Sequence, residues 1–552
     1  MSTTVKPDAP AGAGQGEAKP AAAAAAAAPS AAAPTMRRND ISMTDMSDMD
    51  SGDNLYHVRK SRLIRLINWW QVASTYLPHL LLLALGVLVA QMFGEAWNNQ
   101  DKLREAMQNT LQTTSSDLVF DLGWKSTALF VVFVWWMSRS SSPLYMVDFS
   151  TFEPPEEWKV THEQLTEIMR RQGCFTPESV SFMEKILSKS GTGQATAWPP
   201  GIIRCLEDAD TPADRSVEAA RTEAEIVIFD VVGSVLEKVG LTGKDIDFLI
   251  INCSLFSPTP SLCSMVSHKF GMRSDARTFN LSGMGCSAGV ISLDLAKDLL
   301  KARPNSVALV VSTENLTQNL YHGNERSMLL QNTLFRVGGA AILLSNKWQD
   351  ASRSKFKLLY TVRTQGSGKD AFEAVYESED PLGNHGVRLS KEIVKVAGRA
   401  MEKNFTSLGP YVLPISEQYK VVKALALRKV TRALREMLEK RKSSWAKKVS
   451  ITPYYQPDFK RGIDHFCIHA GGRGVIDGIE KNLALQEHHT EPSRATLRDY
   501  GNTSSSSIWY EMKYIEEHSD LRRGQRILQV AFGSGFKCNS AVWICLNPPD
   551  RK

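Results

Sequence analysis

Cys286 stands in a setting suited to reaction. The stretch Asn280–Val290 reads Asn-Leu-Ser-Gly-Met-Gly-Cys-Ser-Ala-Gly-Val, so glycines 283, 285 and 289 bracket one cysteine. Glycine permits tight backbone turns that expose the residue at the apex. An amphipathic helix is predicted over 288–302, directly after the cysteine. The positive end of that helix is expected to lower the thiol pKa, and its free N–H groups to receive an oxyanion. The same residues also fit a packed cysteine in a glycine-rich turn, and the local sequence does not separate the two. A thiol nucleophile needs a base and a group that polarises a carbonyl. His465 and His469 precede a Gly-Gly turn, and Asn502 precedes a predicted helix through Trp509 and Tyr514. Two histidines four apart suggest a helical metal pair. Here Phe466, Ile468 and Ala470 alternate with them as in a strand, no HExxH occurs, and no carboxylate completes a site. His488 and His489 are read as part of a polar loop, and metal chemistry is not expected. Gly533, Ser534 and Gly535 form a hinge between two predicted strands, where a backbone can approach a bound thioester; a tight hairpin turn is the plainer reading. With His465 they are the candidate substrate contacts.

These groups need a scaffold. Asp247–Cys253 and Ser306–Ser312 are short apolar runs, as expected of strands buried on both faces. Further strands are predicted at Ala340–Ser345, Lys357–Arg363, Arg526–Ala531 and Ser540–Leu546, and a helix at Val217–Val239. Such alternation indicates βαβ units, hence an α/β fold with mainly parallel sheet. No short repeat suggests a solenoid.

The chain has 552 residues, 43% of them hydrophobic, and a net charge of +6, which calls for no nucleic-acid partner. Its eight cysteines include no CxxC pair, so zinc and thioredoxin-like spacings are absent and reduced thiols are expected. Residues 1–55 are an Ala/Pro-rich tail with few bulky apolar side chains to offset the entropy of ordering. Residues 56–142 hold two apolar stretches, at about 72–93 and 118–137. Each has the roughly 20 residues a transmembrane helix needs, and tryptophans flank both. Asp117, Asp121 and Lys125 crowd the start of the second. A hairpin of two spans, with Arg59, Lys60, Arg62 and Arg65 before it and Arg139 after it, predicts that both flanks face the cytosol. Residues 420–450 are strongly basic with apolar residues at helical spacing: a solvated helix face, or one set against a membrane surface or CoA phosphates.

Taken together, Ile251–Ser261, Met284–Gly289, Ser312–Gln318, Ser327–Arg336, Phe466–Arg473, Glu491–Arg494, Gly501–Ser507 and Gly533–Ser540 resemble the plant-type 3-ketoacyl-CoA synthases. The likeness runs in order from Pro143–Phe149 to about 546, and the two apolar spans resemble that family's membrane anchor. The resemblance implies a thiolase-like fold of two related halves, 143–350 and 351–552, sharing one active site. It implies Cys286 as nucleophile, completed by His469 and Asn502. It implies decarboxylative condensation of malonyl-CoA with a long acyl-CoA, without a metal or redox cofactor, and location in the endoplasmic reticulum membrane. A homodimer and partner reductases and a dehydratase of an elongase complex follow from the same likeness. Tyr360 and Gln365 stand where the family often has histidines, and the Ala-rich tail and basic insert also depart from its pattern. Competing readings are a soluble polyketide synthase of the chalcone type, a degradative thiolase using Cys538 as a second cysteine, and a non-catalytic scaffold that modulates elongases.

Overall fold

The buried apolar runs become strands of one large sheet. The computed structural model describes residues 143–549, apart from 209–210, 442–444 and 446–448, together with isolated positions between 86 and 132. The Ala-rich tail lies outside the described residues, as do the two expected spans except for those isolated positions. Among the described residues no helix is long and apolar enough to cross a membrane.

In chain order the strands are β1 (Leu144–Thr151), β2 (Lys159–Val160), β3 (Thr196–Ala197), β4 (Phe248–Asn252), β5 (Arg277–Leu281), β6 (Val307–Thr313), β7 (Gly339–Ser345), β8 (Phe356–Gln365), β9 (Val375–Glu379), β10 (His385–Leu389), β11 (His465–Ile468), β12 (Arg526–Gly533) and β13 (Lys537–Cys545). Nine of them form a sheet in the order β11-β12-β13-β8-β1-β7-β6-β4-β5. Its pairing repeats. From β1 outward, β1–β7 and β7–β6 are antiparallel and β6–β4 is parallel. From β8 outward, β8–β13 and β13–β12 are antiparallel and β12–β11 is parallel. The two modules join where β1 and β8 pair antiparallel, Tyr145 opposite Lys357. β5 extends the first module alone.

Helix Val217–Val239 begins at Ser216, whose side chain accepts from the Ala219 N–H, and ends at Gly240 with φ +68°. Its buried valines cover one face of the first module together with helix Leu262–Lys269. Helices Ile393–Val412 and Arg473–Leu483 lie over the outer face of the second. Between the modules sit helices Ala288–Ala302 and Ser507–His518. Val290, Leu293 and Ala296 of the former share a core with Ile508, Trp509 and Met512 of the latter. The former contacts β4 and β6 of one module and β8, β12 and β13 of the other. The result is a layered α/β structure in which two central helices are enclosed by two related half-sheets.

Several expectations need correction, and β5 went unpredicted. The sheet is not mainly parallel: of its eight pairings only β4–β5, β4–β6 and β11–β12 are parallel, and the other five are antiparallel. β5, Arg-Thr-Phe-Asn-Leu, lacks the apolar run that marks a buried strand; it is a partly exposed edge strand. β13 starts at Lys537, three residues before the predicted strand. His488 and His489 are not in a loop but in helix Glu487–Asp499, which Gln486 caps and whose Thr490, Ser493 and Thr496 are buried. Helix Ile415–Lys440 starts before the basic segment, and only Glu417 in it is buried.

Candidate active site

Connections from both modules of the sheet converge on a cavity of about 740 Å³, lined by Cys286, His469 and Asn502. Cys286 lies in the single 3-10 turn Gly285–Ser287 that enters the central helix. Gly285 takes φ +68°, and a Cβ there would stand 2.4 Å from the Ser534 backbone nitrogen. Gly533 is equally constrained: its Cβ would meet Ser287 Oγ at 2.4 Å. These two glycines let the Cys286 turn of the first module approach the β12–β13 turn of the second closely. Gly533, Ser534 and Gly535 line the cavity. His465 does not line it. It lies half-buried at the start of β11, with Nε2 3.1 Å from Gln525 Oε1.

His469 follows β11, and its N–H donates to Val530 O at 2.9 Å. The buried ring places Nδ1 2.6 Å from Ser507 Oγ. A serine hydroxyl both donates and accepts, so Ser507 supports either imidazole tautomer. Asn502 is clamped through its backbone: its N–H donates to Leu334 O at 3.1 Å and its carbonyl accepts from Arg336 N at 2.9 Å. Its Oδ1 accepts from the Ser504 N–H at 2.9 Å, which turns Nδ2 toward Gly471 O at 3.5 Å and leaves that amide donor weakly engaged.

A buried polar group that the sequence did not single out, Glu314, lines the cavity with Cys286. Glu314 accepts from the N–H groups of Ser254 and Leu255, at 3.0 and 2.9 Å, and from Ser504 Oγ at 3.1 Å. Burial pushes its carboxyl up, opposed by these bonds. Ser504 also hydrogen-bonds Cys286 and takes φ +57°, an uncommon conformation for a residue with a Cβ. The sequence signal was present, since Glu314 ends an apolar strand inside a resemblance block, but no local rule gives it a partner.

Electrostatics overturn the expected thiolate. Burial pushes the Cys286 thiol up to about 11, and Glu314 adds to the shift while Ser504 opposes it. Burial also lowers the His469 imidazole to about 4. Both shifts favour the uncharged forms, a thiol and a neutral imidazole, because each charged form loses hydration in the site. Cys538 is fully buried in the outer core of the second module, with its thiol pushed far up, and does not reach the cavity. Gln365 lines the cavity, whereas Tyr360 packs on Tyr411 with ring centroids 4.9 Å apart. The remaining wall is largely apolar, including Leu330, Leu334, Val387, Leu389 and Ile393.

Residues 136–430 match the family described as FAE1/type III polyketide synthase-like protein, and residues 460–545 match the C-terminal domain of 3-oxoacyl-[acyl-carrier-protein] synthase III. The chain is 50% identical to 3-ketoacyl-CoA synthase 2 of Arabidopsis thaliana over 74% of each chain. It is 47% identical to 3-ketoacyl-CoA synthase 6 of the same plant, over 80% of this chain and 84% of that one. Among solved structures, PKS-I from the brown alga Ectocarpus siliculosus superposes with a TM-score of 0.55 at 16% identity, covering 73% of this chain and 98% of that one. That likeness carries the fold alone, the thiolase-like fold of the type III polyketide synthases. The sequence identity carries more: the chain belongs to the 3-ketoacyl-CoA synthases, the condensing acyltransferases of very-long-chain fatty acid elongation.

Proposed function

We propose that Cys286 accepts the acyl chain and that His469 and Asn502 hold the thioester carbonyl of malonyl-CoA while it loses carbon dioxide. One observation carries this reading: a cysteine of one module and a histidine and an asparagine of the other line the same largely apolar cavity.

In the resting site the thiol keeps its proton. The neutral His469 takes that proton as the sulfur attacks the acyl-CoA carbonyl, and returns it to the departing CoA sulfur. The acyl group is then held as a thioester on Cys286. With the Nε2–H tautomer supported by Ser507, His469 donates a hydrogen bond to the malonyl thioester oxygen, and Asn502 Nδ2 donates a second. Both strengthen as the carboxylate departs as carbon dioxide and the oxygen becomes an enolate. The enolate carbon attacks the acyl-enzyme carbonyl, the C–S bond to Cys286 breaks, and a 3-ketoacyl-CoA leaves. The sulfur recovers a proton from solvent. The low basicity of His469 suits the second half-reaction, because a neutral imidazole donates without retaining a charge.

We further propose a multi-pass anchor in the endoplasmic reticulum membrane with the catalytic part facing the cytosol, a homodimer, and action beside the reductases and dehydratase that process a 3-keto product. The apolar stretches at 72–93 and 118–137 with their flanking arginines support the first of these. The central test uses the full chain in microsomes with labelled malonyl-CoA and a range of acyl-CoA primers. Cys286→Ala is expected to abolish condensation while leaving the protein folded; product at the unaltered rate would remove the cysteine from the mechanism.

A further inference from the structure

Helix Ile415–Lys440 turns its apolar side away from the protein. Ile415, Tyr419, Val422, Val430 and Met437 recur at helical spacing and share one face. They are 72%, 64%, 49%, 62% and 44% exposed. The inward face has the half-buried Val421, Leu425 and Leu438, but its deepest contacts are polar: Glu417 is buried against Lys420 and Tyr455, and Arg428 donates to Thr452 O at 2.8 Å. A surface helix ordinarily does the reverse. The stripe is therefore not a product of packing within the described chain. Twenty-six residues at 1.5 Å per residue make it about 39 Å long. Its last ten residues are matched by neither family model, since the first ends at 430 and the second begins at 460.

The charges identify the partner. The exposed apolar face also takes in Leu427 and Leu434, with Lys423 among them; Lys420 flanks that side, and Lys429, beside Glu436, flanks the other. The helix holds Lys420, Lys423, Arg428, Lys429, Arg432, Arg435 and Lys440 against Glu417, Glu436 and Glu439. A protein groove needs an apolar stripe but has no general use for cations along both edges. Lipid headgroup phosphates do, and lysine stems reach up from a half-immersed helix to meet them.

We infer that helix Ile415–Lys440 lies in the surface of an anionic bilayer, apolar stripe down, as a membrane contact separate from the predicted N-terminal spans. It leans on the membrane reading above only in requiring a bilayer within reach. The test uses the full chain reconstituted in phosphatidylcholine vesicles with or without phosphatidylserine. p-Benzoylphenylalanine replaces Val430 or Met437 on the stripe, or Arg432 or Glu439 on the polar flank, and illumination is followed by mass analysis of adducts. Lipid adducts at 430 and 437 that exceed those at 432 and 439, and that rise with phosphatidylserine, are expected. Lys423→Glu and Lys429→Glu should each reduce them about fivefold. Adducts to a second copy or to another segment of the chain, absence of adducts, or lipid adducts indifferent to phosphatidylserine would overturn the inference. Condensation by the detergent-solubilised variants is measured in parallel. Its retention keeps the active-site reading standing whichever way the crosslinking falls.

Discussion

Gly283 and Gly285 form a natural controlled pair. Both take left-handed backbone, φ +65° and +68°, and both stand within three residues of Cys286. A Cβ on Gly283 meets nothing within 4 Å, whereas a Cβ on Gly285 would lie 2.4 Å from Ser534 N, 2.8 Å from Ser534 Oγ and 3.1 Å from Gly533 C. Gly283→Ala therefore carries only the conformational cost, about 1–2 kcal/mol. Gly285→Ala carries that cost plus about 1–3 kcal/mol of overpacking, because the obstacle is backbone and cannot rotate aside. To restore ordinary contact the Ser534 backbone must retreat ~1 Å, and a displacement of that size at a reacting centre costs on the order of 100-fold in rate. The assay compares urea unfolding of the solubilised variants with kcat/KM for condensation. Gly283→Ala should be mildly destabilised and near the parent in rate. Gly285→Ala should lose more stability and about two orders of magnitude in activity. Equal stability and equal rates in the two variants would refute the claim that contact between the two turns positions the nucleophile.

With the Cys286 thiol pushed up to about 11, inactivation by iodoacetamide should rise about tenfold per pH unit from roughly pH 7 to 10. A plateau by about pH 8 would restore the thiolate that the sequence suggested. His469 has its folded pKa lowered to about 4 from 6.5, so the unfolded chain takes up the proton first as pH falls. Its contribution is neutral above pH 6.5 and becomes a loss of up to about 3 kcal/mol as pH drops toward 4. The unfolding free energy of His469→Gln should accordingly fall less between those limits, and an unchanged slope would remove His469 from the account. Asn502→Ala should slow malonyl-CoA decarboxylation about 10²–10³-fold, measured as release of labelled carbon dioxide; the parent rate would end its assigned role.

The sequence was most legible where a signal is local. Helix Val217–Val239 runs between a serine cap and a glycine stop, and its predicted limits match the structure. The strand runs around 248–252 and 307–313 announced themselves because burial on both faces demands unbroken apolar residues. β5 gave no such signal, as its register comes from pairing with β4 and not from its own residues. His488 and His489 were misplaced because Pro492 and four polar neighbours suggest a loop, while packing of Thr490, Ser493 and Thr496 holds them in a helix. At the site, the resemblance supplied Cys286, His469 and Asn502. Glu314 and the neutral state of the thiol were not readable, since both depend on what surrounds a residue in space. The helix end beside Cys286 was visible in the sequence; the loss of water around the thiol was not.

The hydrogen-bonded join between β1 and β8 has a mechanical consequence. With no break in the sheet from β11 to β5, the two modules cannot open like jaws without tearing backbone bonds. The spacing of Cys286 and His469 is then held by the stiffness of a ladder, and room for a longer ligand has to come from the periphery. Val375, Val387 and Leu389 of the β9–β10 hairpin line the cavity outside that ladder. The hairpin can therefore change the cavity's outline without moving the strands that carry Cys286 and His469.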